Sequence, residues 1–247
     1  MKKTLITLLF AASAFAGEIN IAVAANVSYA IDELKAAFAK NHPDTKVQVT
    51  LGSSGKLTAQ IKNGAPYGLF MAANMKYPEA LYKDKIAVTK PVVYAQGALA
   101  YLSAKPTDFS KGIALVAEKS IGKIAVANPK TAPYGTAAVE AMKNGGVFET
   151  AKSKFVYAES ISQTVTYALT AADVGFIAKS SLYSPKMAKY KENVNWASVN
   201  PKLYTPIKQG IVLLNNGEKN AEYKAFYDFI LGDEAKSIFK NYGYIVE

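Results

Sequence analysis

Apolar residues alternate along this chain between two spacings. From residue 19 to 25 they run almost unbroken, as in a buried strand; from 30 to 38 they recur every three or four positions, as on one face of a helix. The pair repeats as a strand over 47–51 with a helix over 56–62, then as a strand over 69–73 with a short helix near 79–83. A second series follows Tyr94-Ala95-Gln96-Gly97. Its strands cover 98–102, 123–127, 155–158 and 174–178, interleaved with helices over 136–143 and 163–169. An apolar strand over 210–214 and an amphipathic helix over 222–230 follow.

Strands that alternate with helices build mostly parallel sheets covered by helices on both faces. Two such series, with more apolar elements after the second, predict a chain that leaves one α/β lobe, builds another and returns. The outward crossing is placed near 93–97 and the return near 205–209. The expected division is 17–95 with 207–247 as a discontinuous first lobe, and 96–206 as the second. Ligands of such folds sit at the carboxyl ends of the strands, so the cleft between the lobes is the expected site.

Four strand-to-helix turns supply chemistry for that cleft. The sharpest is Leu51-Gly52-Ser53-Ser54-Gly55-Lys56, where small hydroxylated residues lead into a helix whose first amides have no intrahelical partner. The others are Ala24-Ala25-Asn26-Val27-Ser28, the segment from Asn128-Pro129 to Pro133-Tyr134-Gly135, and Glu159-Ser160-Ile161-Ser162-Gln163. Ser160 and Gln163 have capping-box spacing, which fixes a helix start and leaves the Ile161 amide near the cleft. Each helix start carries about half a positive charge, so converging starts suit a dianion. Each turn taken alone also reads as ordinary structure: Asn26, Ser28, Ser54 and Ser160 are common helix caps, and Pro133 is a common first-turn residue. The glycine-rich stretch is not a nucleotide-binding P-loop, because position 50 is Thr rather than Gly and Leu57 stands where Ser or Thr is required.

Composition narrows the chemistry. All 29 basic residues are lysine, and without arginine the bidentate clamp for carboxylates and phosphates is missing. No cysteine is present, which excludes thiolate metal sites and catalytic thiols, and the lone His42 makes histidine triads and histidine-rich metal centres poor fits. The net charge of +10 either steers anions or reflects a solvated lysine-rich surface. Met1-Lys2-Lys3, the apolar run 5–10 and Ala14-Phe15-Ala16 read as a signal peptide over 1–16, implying export to the periplasm.

Together the segments Ala24-Ala25-Asn26, Gly52-Ser53-Ser54-Gly55-Lys56-Leu57, Gly64-Ala65-Pro66, Asn128-Pro129, Ala132-Pro133-Tyr134-Gly135 and 235–243 resemble the periplasmic molybdate-binding proteins of ABC transporters. The resemblance implies the two-lobed, type II periplasmic binding protein fold and a tetrahedral oxyanion held by neutral groups from both lobes. It implies Asn26 with its neighbour Ala25, Ser54, the Tyr134 amide and the Ile161 amide as ligands, with Ser28, Ser53 and Ser160 as secondary candidates. It further implies molybdate or tungstate as ligand, no cofactor, no directly bound metal ion, a membrane permease as partner, a monomer, and neither catalysis nor nucleic-acid binding. The chain departs from the family's pattern at Ala178, where some members carry Tyr, and at Gly68 and Asn74, where acids are common. A sulfate or phosphate receptor is the nearest alternative. A secreted serine hydrolase using the Ser53-Ser54 turn with Lys56 as base lacks a nucleophile elbow and an acid partner.

Overall fold

In the computed structural model, which describes residues 17–246, Ile19, Ile21 and Val23 of β1 (Glu18–Ala24) are fully buried. A strand apolar on both faces belongs in a sheet interior, and β1 pairs in parallel with β2 (Lys46–Gly52) on one side and β3 (Leu69–Met71) on the other. Helices α1 (Ile31–Ala39), α2 (Ser54–Lys62) and α3 (Lys76–Lys83) connect and follow these strands. The sheet is completed by two antiparallel members, β10 (Ile207–Leu213) against β3 and β4 (Val92–Gly97) against β10.

The second sheet uses the same scheme. Its parallel centre is β7 (Phe155–Ala158), β6 (Ile124–Ala127) and β8 (Val174–Ala178), extended by antiparallel β5 (Leu99–Leu102) and β9 (Trp196–Ser198). Helices α4 (Pro133–Asn144), α5 (Phe148–Ala151) and α6 (Ile161–Thr170) cover it. Finally α7 (Ala221–Leu231) and α8 (Asp233–Asn241) pack Phe226, Ile230 and Phe239 into the core of the first lobe. The orders β2-β1-β3-β10-β4 and β7-β6-β8-β5-β9 define the two-lobed α/β architecture.

Several elements differ in extent from the sequence pattern. Residues 93–97, expected as a crossing, belong to β4, and only Ala98 separates β4 from β5. The helix expected from 136 begins at Pro133, whose fixed φ and missing N–H suit a first helical position. The expected strand 69–73 stops at Met71, and β9 lies in a stretch assigned no element. The expected signal peptide, 1–16, lies outside the described residues. No helix among the described residues is long and apolar enough to cross a membrane.

Candidate functional site

Three of the four turns meet as α-helix starts at a small cleft between the lobes, and the fourth reaches it through a 3-10 turn over Ala25–Tyr29. Ala25, Asn26, Ser53, Ser54, Tyr134 and Ile161 all line this cleft, and no charged side chain does. Ser28 and Ser160 lie outside it. Ser160 instead caps α6: its Oγ accepts from the Gln163 N–H at 3.3 Å, and Gln163 Oε1 accepts from the Glu159 N–H at 2.7 Å.

Helix α2 begins one residue earlier than a cap at Ser54 would require. Ser53 occupies the N-cap position with an extended backbone but makes no side-chain cap, so its buried Oγ has no partner among the described residues. Ser54 is the first helical residue and is fully buried. Its Oγ accepts the Ala73 N–H at 2.9 Å. That bond occupies a lone pair and leaves the hydroxyl proton available to an acceptor. The turn thus contributes two hydroxyls as well as backbone amides.

On the facing lobe, Pro133 has no N–H, so Tyr134 supplies the first amide after the α4 cap at Ala132. Gly135 lets that turn approach the sheet, because a Cβ there would sit 2.0 Å from the Ala127 carbonyl oxygen. Ile161 is the first residue of α6, and its amide likewise lacks an intrahelical acceptor. Ala24, Ala25 and Ala73 of the first lobe join the apolar cluster of the second, giving the cleft dry walls in which hydrogen bonds to an anion are strengthened.

Asn26 is fully buried, and both of its amide protons are committed: Nδ2 donates to Gln209 Oε1 at 2.8 Å and to Tyr244 Oη at 3.0 Å. Tyr244 Oη in turn donates to the Asn26 carbonyl at 2.9 Å. Oδ1 of Asn26 has no partner among the described residues, so the site holds one side-chain acceptor beside its donors. Burial pushes the Tyr244 hydroxyl up to about 12 and those of Tyr94 and Tyr134 well above their ordinary value, so all three stay neutral at physiological pH.

Charge gathers at the rim. Lys56 Nζ of α2 pairs with the Glu159 carboxylate of the opposite lobe, which removes Lys56 as a candidate base for Ser54. Beside this pair the Gly55 N–H donates to the Thr131 carbonyl at 2.9 Å.

Residues 19–245 match the family of bacterial extracellular solute-binding proteins. The chain belongs to that family. It is 37% identical to the molybdate-binding protein ModA of Azotobacter vinelandii over 96% of this chain and 93% of the relative. It is 39% identical to ModA of Rhodobacter capsulatus, over 95% and 90% respectively. The solved structure of the Azotobacter vinelandii periplasmic molybdate-binding protein superposes with a TM-score of 0.83 at 30% identity, covering 93% of this chain and 99% of that one. Membership among solute-binding proteins sets the chain apart from the secreted hydrolases. Within this family member, the hydrogen-bond network behind Asn26, built from Gln209, Tyr94 and Tyr244, went unread in the sequence. Gln209 stands between Lys208 and the apolar run 210–214, where a polar residue is ordinary, so the sequence carries no mark of it. Ala178 ends β8 in the core and does not line the cleft.

Proposed function

We propose that the protein is a periplasmic receptor that captures molybdate or tungstate between its lobes and delivers it to the membrane permease of an ABC transporter. The observation that carries this reading is a cleft of hydroxyls and helix-start amides, free of charged side chains, in a chain 37–39% identical to molybdate-binding proteins.

The proposed ligands are Ala25 and Asn26, Ser54, and the amides of Tyr134 and Ile161, with Ser53 added by its unpartnered hydroxyl. Because both Nδ2 protons of Asn26 are committed, its proposed contribution is the backbone N–H. Molybdate and tungstate are dianions that only accept hydrogen bonds, which suits this set. Monohydrogen phosphate brings a proton that needs a buried acceptor, and leaving it unpaired costs about 1 to 3 kcal/mol. Sulfate has the right charge but is smaller, so a rigid shell would stretch its hydrogen bonds, each worth roughly 1.5 to 3 kcal/mol when one partner is charged. The proposed organisation is a leader over 1–16 and a monomer whose lobes, 17–95 with 207–247 and 96–206, close on the anion.

Calorimetry on the anion-free protein with molybdate, tungstate, sulfate and phosphate tests this. Tight one-to-one binding of molybdate or tungstate with sulfate and phosphate silent is the expected result. Preference for sulfate or phosphate overturns the ligand, with a phosphate response pointing to Asn26 Oδ1; silence toward all four overturns the site.

A further inference from the structure

Gln209 lies at the start of β10 beside a bulge in its pairing with β4, and its side chain is fully buried. It is polar in a strand whose other inward positions are apolar, so its hydrogen bonds decide whether burial is tolerable. All are made. Oε1 accepts from Asn26 Nδ2 at 2.8 Å and from Tyr94 Oη at 2.8 Å, and Nε2 donates to Tyr134 Oη at 3.2 Å.

One of these bonds crosses between the lobes. Tyr134 belongs to α4 over the second sheet, whereas Gln209, Asn26 and Tyr94 belong to the first lobe. The Tyr134 ring spans from the cleft, where its backbone amide sits, to the hinge, where its hydroxyl meets Gln209. Gly97, the last residue before the chain crosses, makes the room. A Cβ there would lie 1.9 Å from Tyr134 Oη and 2.7 Å from Gln209 Nε2. The lobes cannot separate by rotation at this point without disturbing the Tyr134–Gln209 bond.

We propose that Gln209 is a hinge-borne positioning residue that couples the two halves of the anion site, reading closure through Tyr134 and fixing the Asn26 amide in response. It touches no anion. When Tyr134 docks, Nε2 is held toward it, so Oε1 is held toward Asn26, which sets both the pose of that side chain and which of its atoms is left unpartnered. Without Tyr134 the Gln209 amide has no cross-lobe partner to fix its direction, and the Asn26 turn loses its support. The inference rests on the proposed oxyanion function, which it deepens by naming the residue that makes the two sets of donors act together.

The test is calorimetry with molybdate on the full protein and the variants Gln209→Met, Tyr134→Phe, their combination, and Gln209→Glu. Tyr134→Phe keeps the backbone amide and removes only the hydroxyl. Each single change is expected to weaken binding by about 5- to 20-fold, and the double variant to be no weaker than the worse single, because both remove the same coupling. A structural role alone would not produce the third expected result. Gln209→Glu, shaped like the wild type, places a carboxylate one hydrogen bond from Asn26 and weakens dianion binding at pH 8. Burial raises the pKa of such a carboxyl. Binding therefore recovers toward pH 6, where a protonated acid again offers one donor and one acceptor, while the wild type stays level. The titratable groups packed around Gln209 are the hydroxyls of Tyr94, Tyr134 and Tyr244, none of which ionises in that range. Wild-type binding with single variants within twofold of it, losses that multiply in the double variant, or a level Gln209→Glu profile overturns the role of Gln209. A wild type that ignores molybdate but binds another anion counts against the proposed ligand instead, and the same series on that anion decides the coupling.

Discussion

The backbone N–H of Gly55 donates to the carbonyl oxygen of Thr131 at 2.9 Å, tying the first turn of α2 to the loop before α4 across the cleft. The contact is tight: a Cβ on Gly55 would lie 2.9 Å from Thr131 Cα, 3.0 Å from its carbonyl oxygen and 2.7 Å from Tyr77 Oη. Two of these three atoms are backbone, so room for a methyl group comes only from moving the lobes apart.

Gly55→Ala is therefore expected to lower molybdate affinity at least about tenfold, near 1.4 kcal/mol, with little change in the melting temperature of the anion-free protein. Alanine is the better helix former at this position of α2, which offsets lost contacts. Calorimetry and small-angle scattering check it, the scattering by a larger radius for the variant at saturating anion.

Ser54→Asp is expected to abolish anion binding and leave the circular dichroism spectrum unchanged. The carboxylate would still accept the Ala73 N–H that Ser54 Oγ now accepts, while setting a negative charge against a dianion. Affinity equal to the wild type would remove Ser54 from the site. Ser54→Ala separates the two effects, since it removes the hydroxyl from the anion and from the Ala73 N–H without adding charge, and should bind about 10-fold more weakly.

Tyr101 lies in the core of the second lobe, stacked on Phe109 and edge-on to Phe176, and its buried Oη has no partner among the described residues. A buried hydroxyl without a partner costs about 1 to 3 kcal/mol. Tyr101→Phe should raise stability by about 1 kcal/mol in urea unfolding with the denaturant slope unchanged, and a loss of stability would show that the hydroxyl is satisfied in solution.

Burial raises the hydroxyls of Tyr94, Tyr134 and Tyr244, the last to about 12 from an ordinary 10.0. A raised pKa means the folded state holds its proton more tightly than the unfolded chain. The associated stability is fully present below pH 10 and lost as pH climbs from 10 through about 12, with roughly 2 to 3 kcal/mol from Tyr244 alone. Denaturation midpoints should be level from pH 7 to 9 and fall steeply above 10. Anion affinity should also be level from pH 7 to 9, because nothing lining the cleft titrates there.

What the sequence made legible follows from the range of the interactions involved. The βα alternation and the turns at Ser54, Tyr134 and Ile161 are local patterns, and each lies at the cleft where a helix begins. The edge strand β4 carries the apolar run Val92-Val93-Tyr94-Ala95, but it passes into β5 after Gly97 and a single residue, so the pattern sets no boundary between strand and lobe crossing. The Asn26 network has no local trace. Its bonds join residues 183 and 218 positions apart, and a tyrosine near the end of the chain carries no mark of such a partner. Likewise, Ser53 and Ser54 are adjacent and chemically alike. Only the fold gives the Ser54 hydroxyl the Ala73 amide and leaves the Ser53 hydroxyl without a partner among the described residues.

The order of strands also separates the two sheets by how much of the chain each one needs. Strand β4 has one neighbour in its sheet, β10, which follows it in the chain by more than a hundred residues, whereas the second sheet draws on a single continuous stretch from Leu99 to Ser198. A chain emerging from its N-terminus can finish the second lobe while the first still lacks the strand that joins β3 to β4. Gln209 sits on that late strand, so a chain interrupted before residue 207 would hold every proposed anion ligand and the whole second sheet, yet lack the strand that joins β3 to β4 and backs the Asn26 turn.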